Sequence, residues 1–405
     1  WLAGLIAMLG TGVAGAQNED PADAAEHGVA RVSLVSGPVN VTHGDAGEPA
    51  GSAMNAPLVT TDRIATGDGG RAEVQFDAVN LIRLAPNTEL RMGDLQDRRY
   101  LLQLMQGTTM FRVLRDNDAK VEVSTPSVSL IPLRAGTYRV TVRPDGTSEI
   151  TVRAGEADML SATGSDRLAA GQTMYSRGPA NDPEFMTTGA IAMDEWDRWN
   201  ADRDRVFERY GERPPDSARY ASPDIHGTDE LAGYGRWVWD APYGWVWVPN
   251  VGSDWAPYRD GRWAYLNYYG WSWVSYDPWG WAPYHYGSWY RGGFGWAWYP
   301  GPIGPRYRWR PAMVGFFGFG SPGFGTSFGF GYSNVGWVPL APHEVYRPWY
   351  GRGYYGGRGV NIVGSVNIYN NYQNARFGNS ITGLRAGDFG RSEEHTSELQ
   401  SLAYL

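Results

Sequence analysis

The sequence predicts a mainly β protein. Three observations carry this prediction: short alternating segments bounded by Gly and Pro, a Trp-rich repeat of 26 residues, and a single segment with clear helical periodicity. The 405 residues are enough for two or three domains. A net charge of −8 without long Lys or Arg runs argues against a nucleic-acid binder, and the absence of Cys excludes disulfides and thiolate sites.

The two ends of the sequence are predicted to lie outside the folded protein. Residues 1–16 are apolar, end in Ala14-Gly15-Ala16 and precede a polar stretch, which is typical of a secretory signal peptide truncated at its start. The alternative is a short buried helix. Residues 391–405 are interpreted as an assembly artefact, because Arg391 to Ser401 is the translation of a common sequencing-adapter DNA. We therefore expect an exported protein, periplasmic or at the cell surface, with no transmembrane span in the mature chain.

Residues 29–177 are predicted to form an all-β domain. Tyr138, Val140 and Val142 alternate with polar residues and would share one face of a strand. The turn signal Arg143-Pro144-Asp145-Gly146-Thr147 follows, and the next segment again alternates. This pattern predicts a β-hairpin between residues 136 and 153.

This domain resembles the FecR domain family from Arg31 to Arg177. The resemblance rests on the order and spacing of several short stretches, which are Asp62 to Glu73, Leu84-Ala85-Pro86-Asn87-Thr88, Thr125-Pro126, Ala135-Gly136-Thr137 and Asp145-Gly146-Thr147. It implies a periplasmic β domain that relays a signal between an outer-membrane receptor and an inner-membrane anti-sigma segment. No cytoplasmic anti-sigma domain precedes the apolar segment in the given sequence, so the resemblance implies fold and compartment more than signalling.

A linker helix is predicted within residues 190–213. Aromatic and apolar residues from Trp196 to Tyr210 recur at spacings of three and four, and Gly211 with Pro214-Pro215 ends the pattern. We expect the aromatic stripe of this helix to pack on a neighbouring domain.

The repeat occupies the middle of the predicted domain at residues 220–350. Trp237, Trp263 and Trp289 are separated by 26 residues each, and many other positions recur at the same offset. Each copy has the form Trp-x-aromatic, a Gly-containing turn and Trp-x-Trp, which predicts a β-hairpin with two indoles on one face. The first two copies continue into Ala256-Pro257-Tyr258 and Ala282-Pro283-Tyr284.

The repeated indoles have two possible roles, which are not exclusive. They replace aliphatic packing in a small core, or they form a platform on which sugar rings stack. The candidate ligand-binding residues are the repeated indoles Trp237, Trp245, Trp247, Trp255, Trp263, Trp271, Trp273, Trp281 and Trp289.

The order of elements from Tyr220 to the phrase Gly336-Trp337-Val338-Pro339 also resembles a Trp-rich domain of unknown function that follows FecR domains in Gram-negative bacteria.

Gly315 to Gly331 is rich in Gly and Phe and is expected to be flexible or adhesive. Residues 351–390 are expected to form a flexible Gly/Asn-rich tail.

Nothing in the sequence indicates an enzyme. The His residues are scattered without metal-ligand spacing, and Gly67-Asp68-Gly69-Gly70 lacks the Lys-Ser/Thr of a phosphate loop. A paired-carboxylate hydrolase is the enzymatic alternative. We expect no cofactor and no metal. The favoured function is a non-enzymatic envelope protein that binds envelope polysaccharide or peptidoglycan, and the alternative is a FecR-like signalling or assembly protein that contacts an envelope protein at a membrane.

Overall fold

The computed structural model describes residues 27–45, 47–178, 181–212, 216–304, 307–322, 332–346, 368–390 and 400–401. The predicted signal peptide lies outside these ranges, as do residues 351–367 of the predicted tail and all of residues 391–405 except the short strand at 400–401. Strands far outnumber helices in the described chain, and the mainly β prediction is confirmed.

The first half of the chain folds into two β-sheets. Its strands are β1 (Ala30–Ser36), β2 (Val39–Thr42), β3 (Ala50–Gly51), β4 (Pro57–Leu58), β5 (Arg63–Thr66), β6 (Arg71–Gln75), β7 (Asn80–Leu84), β8 (Glu89–Gln96), β9 (Arg99–Val113), β10 (Lys120–Ser124), β11 (Ser129–Pro132), β12 (Gly136–Val142), β13 (Ser148–Ala154), β14 (Glu156–Ser161), β15 (Gly164–Ala169), β16 (Gln172–Arg177) and β17 (Glu184–Gly189).

The long strand β9 belongs to both sheets. One sheet has the order β3-β2-β5-β8-β9-β10-β11-β14-β15, and the other has the order β4-β1-β6-β7-β9-β12-β13-β16-β17. The strand changes sheets at Gly107, where φ is +90° and a Cβ would collide with Thr88. Aliphatic side chains on the inward-facing positions form the core, and the predicted hairpin is present as β12 and β13.

Helix α1 (Glu195–Glu212) packs on the second sheet through both its aromatic residues and charged groups. Trp196 is buried beside Ala85 and Met110. The carboxylate of Glu73, which is fully buried, accepts hydrogen bonds from Arg83 (2.8 Å) and from Arg203 of the helix (3.0 Å). These two cations hold the pKa of Glu73 below its usual value, although burial alone would raise it.

The Trp-rich half contains three hairpins in the register that the repeat predicts. They are β18 (Gly235–Asp240) with β19 (Gly244–Pro249), β20 (Gly261–Leu266) with β21 (Gly270–Ser275), and β22 (Ser288–Gly292) with β23 (Gly295–Tyr299). The turn glycines Gly244, Gly270 and Gly295 all have positive φ, which explains why the repeat has Gly at this position. The first and third hairpins join through a Trp247–Trp298 pairing, so four strands form one sheet in the order β18-β19-β23-β22.

The remaining elements surround these hairpins. They are the short helices α2 (Ser217–Tyr220), α3 (Trp281–His285) and α4 (Ile368–Asn371), the 3₁₀ turns Thr228–Leu231 and Asn374–Arg376, and the strands β24 (Val314–Pro322), β25 (Tyr332–Pro339), β26 (Thr382–Arg385) and β27 (Gln400–Ser401).

Two segments that the sequence analysis expected to be flexible are packed where the structure describes them. Phe316 and Phe317 of β24 are buried, because pairing with β25 places both rings in apolar clusters. Residues 368–390 of the predicted tail also pack on the repeat. The Asn374 side chain donates hydrogen bonds to the backbone oxygens of Trp289 (2.7 Å) and Pro339 (2.9 Å), and Phe389 is fully buried.

Candidate ligand-binding surface

Most of the predicted ligand-binding indoles form the core of the repeat. Trp247, Trp273 and Trp289 have no exposed surface, and Trp263, Trp271 and Trp281 are also buried. Trp237 and Trp255 are half-buried. A buried ring offers no free face for stacking, so within the predicted set the structure leaves open contact mainly at Trp245, which is 38% exposed.

Glycines of the repeat make room for these core indoles. A Cβ on Gly261 would lie 2.6 Å from the ring of Trp273, and one on Gly287 would lie 2.8 Å from Nε1 of Trp298. The indole therefore crosses directly over a glycine at the start of the partner strand or just before it. The recurrence of Gly at this position, like the recurrence of Trp, is explained by packing.

The repeated Ala-Pro-Tyr phrase brings two tyrosines together. The rings of Tyr258 and Tyr284 meet edge to face at 4.7 Å, and the Tyr258 hydroxyl donates to the backbone oxygen of Tyr284 at 2.7 Å. The Tyr284 hydroxyl donates to Asp277 at 2.6 Å. Burial raises the pKa of Asp277 to about 6, and this hydrogen bond only partly opposes that increase.

Trp281 contacts the first domain. The guanidinium of the buried Arg31 lies over its ring at 5.6 Å. Arg31 also donates to Asn55 (2.6 Å) and pairs with Glu230, while the Asn55 side chain donates to the backbone oxygen of Asp277 at 2.8 Å. These contacts join the β domain to the repeat, which gives Trp281 a structural role.

His285 differs from the residue at the same position of the preceding copy and is completely buried. It replaces Arg259 of the preceding copy, and its ring stacks on Trp309 at 4.7 Å. Burial lowers its pKa to about 3, so the imidazole is neutral at physiological pH. The change from Arg to His between copies thus coincides with a buried position in the core of the repeat.

Three aromatic side chains form what we call the aromatic surface: Trp239 and Trp245 of the first hairpin, which are exposed, and Tyr220 of α2, which is half-buried beside them. Trp239 is 65% exposed, and its ring stands edge to face against Trp245 at 5.8 Å and 80°. The ring of Tyr220 stacks on Trp245 at 4.1 Å and 23°. Two exposed indoles and the half-buried ring of Tyr220 thereby lie side by side at the protein surface.

The second hairpin shows what distinguishes this surface. Phe389 packs against Trp263 (5.6 Å) and Trp271 (4.9 Å), which are the repeat equivalents of Trp237 and Trp245. Tyr220 contacts Trp237 (5.4 Å) and Trp245 in the first hairpin in the same manner. However, Trp271 is only 9% exposed, so the covering by Phe389 is more complete.

Sequence reasoning missed Trp239. The residue at the same place in the next copy is Tyr265, and the search for Trp at a constant offset therefore passed over it. The available signal was the Trp-x-Trp spacing of Trp237 and Trp239, which places both on one strand face. Tyr265 is also exposed and stands edge to face against Trp271 at 5.4 Å.

Among the residues that the structure describes, no three His, Asp or Glu side chains come close enough together to share a metal ion. None of the helices in the described ranges has the length and apolar character needed to span a membrane.

Comparisons with known proteins identify two segments of the chain. Residues 62–160 match the family model described as FecR protein, and residues 228–344 match a family of unknown function (DUF6600). No curated protein matches the chain.

Two solved structures of a protein from Parabacteroides distasonis, described as an anti-sigma factor, are similar at 18% and 17% identity. Each match covers 32% of this chain and 60% of that protein, with a TM-score of 0.28. The chain thus spans about 60% of the length of the proteins it matches.

Proposed function

Starting from a FecR domain joined to a domain of unknown function, we propose that the protein is a non-enzymatic, exported envelope protein whose repeat domain binds envelope glycan at the aromatic surface. The observation that carries this proposal is the exposure of Trp239 beside Trp245 in a domain that buries most of its other indoles. An exposed indole of this size is costly to leave in water, and flat apolar rings with polar edges match the faces of pyranose sugars.

The supporting chemistry is that of stacking rather than charge. Trp239 contributes an exposed ring. The ring of Trp245 contacts it at 5.8 Å and is itself stacked on Tyr220 at 4.1 Å. Because these ring contacts restrict the side chains, little side-chain entropy is lost when a sugar binds. The candidate ligands are peptidoglycan and exported polysaccharide.

Cosedimentation with insoluble peptidoglycan and affinity electrophoresis in polysaccharide gels test this proposal. Trp239→Ala should weaken binding roughly thirtyfold, which corresponds to about 2 kcal/mol for the loss of a central aromatic contact. Tyr234→Ala is the matched control, because Tyr234 is also exposed, at 44%, but lies outside the aromatic surface. Unchanged binding by Trp239→Ala, or no binding of wild-type protein to any of several glycans, contradicts the proposal.

The second candidate function is periplasmic signalling or assembly through contact with an envelope protein at a membrane. The FecR match over residues 62–160 favours it. Crosslinking in intact cells should then recover a discrete protein partner that is lost when the β domain is deleted. Recovery of glycan alone would favour the first function.

A further inference from the structure

A cavity of about 500 Å³ lies where the third hairpin meets the segment that leads to β24. Its volume is within the range of about 300–1,000 Å³ that is typical of small-molecule sites. Three segments line it, and their main side chains are Tyr286 and Ser288 where the hairpin begins, Tyr299 where it ends, and Tyr307, Arg308 and Arg310 beyond it. We call this cavity the arginine pocket. It shares no lining residue with the aromatic surface.

Hydrogen bonds hold the walls of the arginine pocket in place. On the side of the hairpin, the indole Nε1 of Trp298 donates to the backbone oxygen of Tyr286 at 2.8 Å. In the segment beyond the hairpin, the Tyr307 hydroxyl donates to the backbone oxygen of Pro302 at 2.7 Å. Because these bonds fix the shape of the walls, less entropy is lost when a ligand binds.

The charge of the arginine pocket comes from Arg308 and Arg310. The residues described as lining the cavity include these two Arg but neither Asp nor Glu. Burial raises the pKa of Tyr269 to about 12, and the charges of Arg310 and Arg308 both oppose this increase, so the two cations lie near the same hydroxyl. The Arg310 guanidinium also lies over the ring of Tyr346 at 4.9 Å. Since an Arg has five N–H donors, it can keep such contacts and also donate to an anion in the pocket.

The other lining residues favour an anion that carries a ring over a bare ion. Tyr299 and Tyr307 are half-buried, and Pro300, Pro302 and Met313 add apolar surface. Aromatic rings with polar edges suit the faces of sugars, and a guanidinium pairs with a carboxylate through two parallel hydrogen bonds. We propose that the arginine pocket binds a sugar that carries a carboxylate, which is a uronic acid of exported polysaccharide or the muramic acid of peptidoglycan. This site is separate from the aromatic surface, and each can be tested without the other.

Ligand-observed NMR titration of the full chain with matched sugar pairs tests this site. N-acetylmuramic acid differs from N-acetylglucosamine by a lactyl group that carries a carboxylate, and galacturonic acid differs from galactose by a carboxylate. Each acid should bind about tenfold more tightly than its neutral counterpart, or better, because only the acid can pair with the guanidinium groups. The acid that binds more tightly identifies peptidoglycan or exported polysaccharide as the source of the ligand.

Two variants connect the binding to the pocket. Arg308→Gln removes one guanidinium at an exposed position, and Arg310→Gln removes the other. Each should weaken binding of the acid roughly tenfold and leave binding of the neutral sugar unchanged. Arg291→Gln is the matched control and should bind as the wild type does, because Arg291 is an exposed Arg of the third hairpin that does not line the pocket.

Three results would overturn this proposal. They are equal affinity for an acid and its neutral counterpart, wild-type affinity in both pocket variants while circular dichroism shows them folded, and displacement of the acid by inorganic phosphate at the same concentration, which indicates a site for bare anions. Trp239→Ala separates the pocket from the aromatic surface, since it should leave binding of the acidic monosaccharides unchanged. Loss of that binding in Trp239→Ala, but not in the Arg variants, contradicts the pocket and supports the aromatic surface. Binding of the acids without binding of any glycan at Trp239 supports the pocket and contradicts the function proposed above.

Discussion

Replacement of Trp289 by Ala tests the idea that repeated indoles are structural. Trp289 is fully buried, with the rings of Trp255, Trp279 and Tyr284 between 5.5 and 6.2 Å from its own. Its Nε1 donates to the backbone oxygen of Pro283 at 2.8 Å. A Trp side chain buries roughly 200 Å², which at about 25 cal/mol per Å² amounts to about 5 kcal/mol. Partial collapse of the cavity reduces this loss, so we expect a destabilisation of about 4 kcal/mol.

Urea denaturation followed by circular dichroism measures this effect. With a slope of about 2 kcal/mol per M, the midpoint of the Trp289→Ala variant should fall by about 2 M. Trp239→Ala is the matched control, because the same side chain is 65% exposed there and its removal should change stability by less than about 0.5 kcal/mol. Equal urea midpoints for the two variants would refute the claim that the repeated indoles stabilise the fold as its core.

Three further predictions concern buried charges and the C-terminal packing. Glu73→Ala should destabilise the β domain by about 3–5 kcal/mol in urea denaturation, because Arg83 is then left buried without this partner. Phe389→Ala should destabilise the repeat by about 3–5 kcal/mol and increase the reactivity of Trp271, which the Phe389 ring covers. For Asp277, a folded pKa of about 6 lies above the ordinary pKa of 3.8 for an Asp side chain, so the free energy of unfolding should fall as pH rises between these values and then level off.

Each of these predictions has a control. Glu195 pairs with Arg71 but is 82% exposed, so Glu195→Ala should leave the transition unchanged. Phe377 is 40% exposed, and Phe377→Ala should cost much less than Phe389→Ala. Asp277→Asn mimics the protonated acid. The variant should therefore gain up to about 3 kcal/mol relative to wild type between pH 4 and 6, and a difference that is constant with pH would contradict the cause assigned here.

The sequence was sufficient for local structure wherever a periodic pattern coincided with a turn residue. The hairpin of β12 and β13 and the three Trp hairpins follow from alternation plus Gly, since both signals are local. Helix α1 follows from its aromatic spacing, although its docking depends on Glu73 and Arg83, which lie far away in the chain. No local pattern indicates such long-range pairs.

The candidate site was less predictable because burial is a property of the assembled domain. Trp245 and Trp271 occupy the same position in successive copies of the repeat, so the sequence predicts the same burial for both. The ring of Phe389, however, covers only Trp271. Since Phe389 lies more than 100 residues away in sequence, no periodic signal links the two. The exposed Trp239 was missed for the opposite reason, since its repeat partner is a different aromatic residue.

The most direct test of the account is hydroxyl-radical footprinting of the full-length protein, read out for each Trp by mass spectrometry, with and without peptidoglycan fragments. We predict that Trp239 and Trp245 react rapidly, that Trp247 and Trp289 are protected, and that the glycan slows reaction at Trp239. Comparable reactivity of Trp247, Trp289 and Trp239 would contradict the division of the indoles into core and surface. If no glycan tested slows the reaction at any of these Trp residues, the assignment of Trp247 and Trp289 to the core still stands, but the proposed binding function is contradicted.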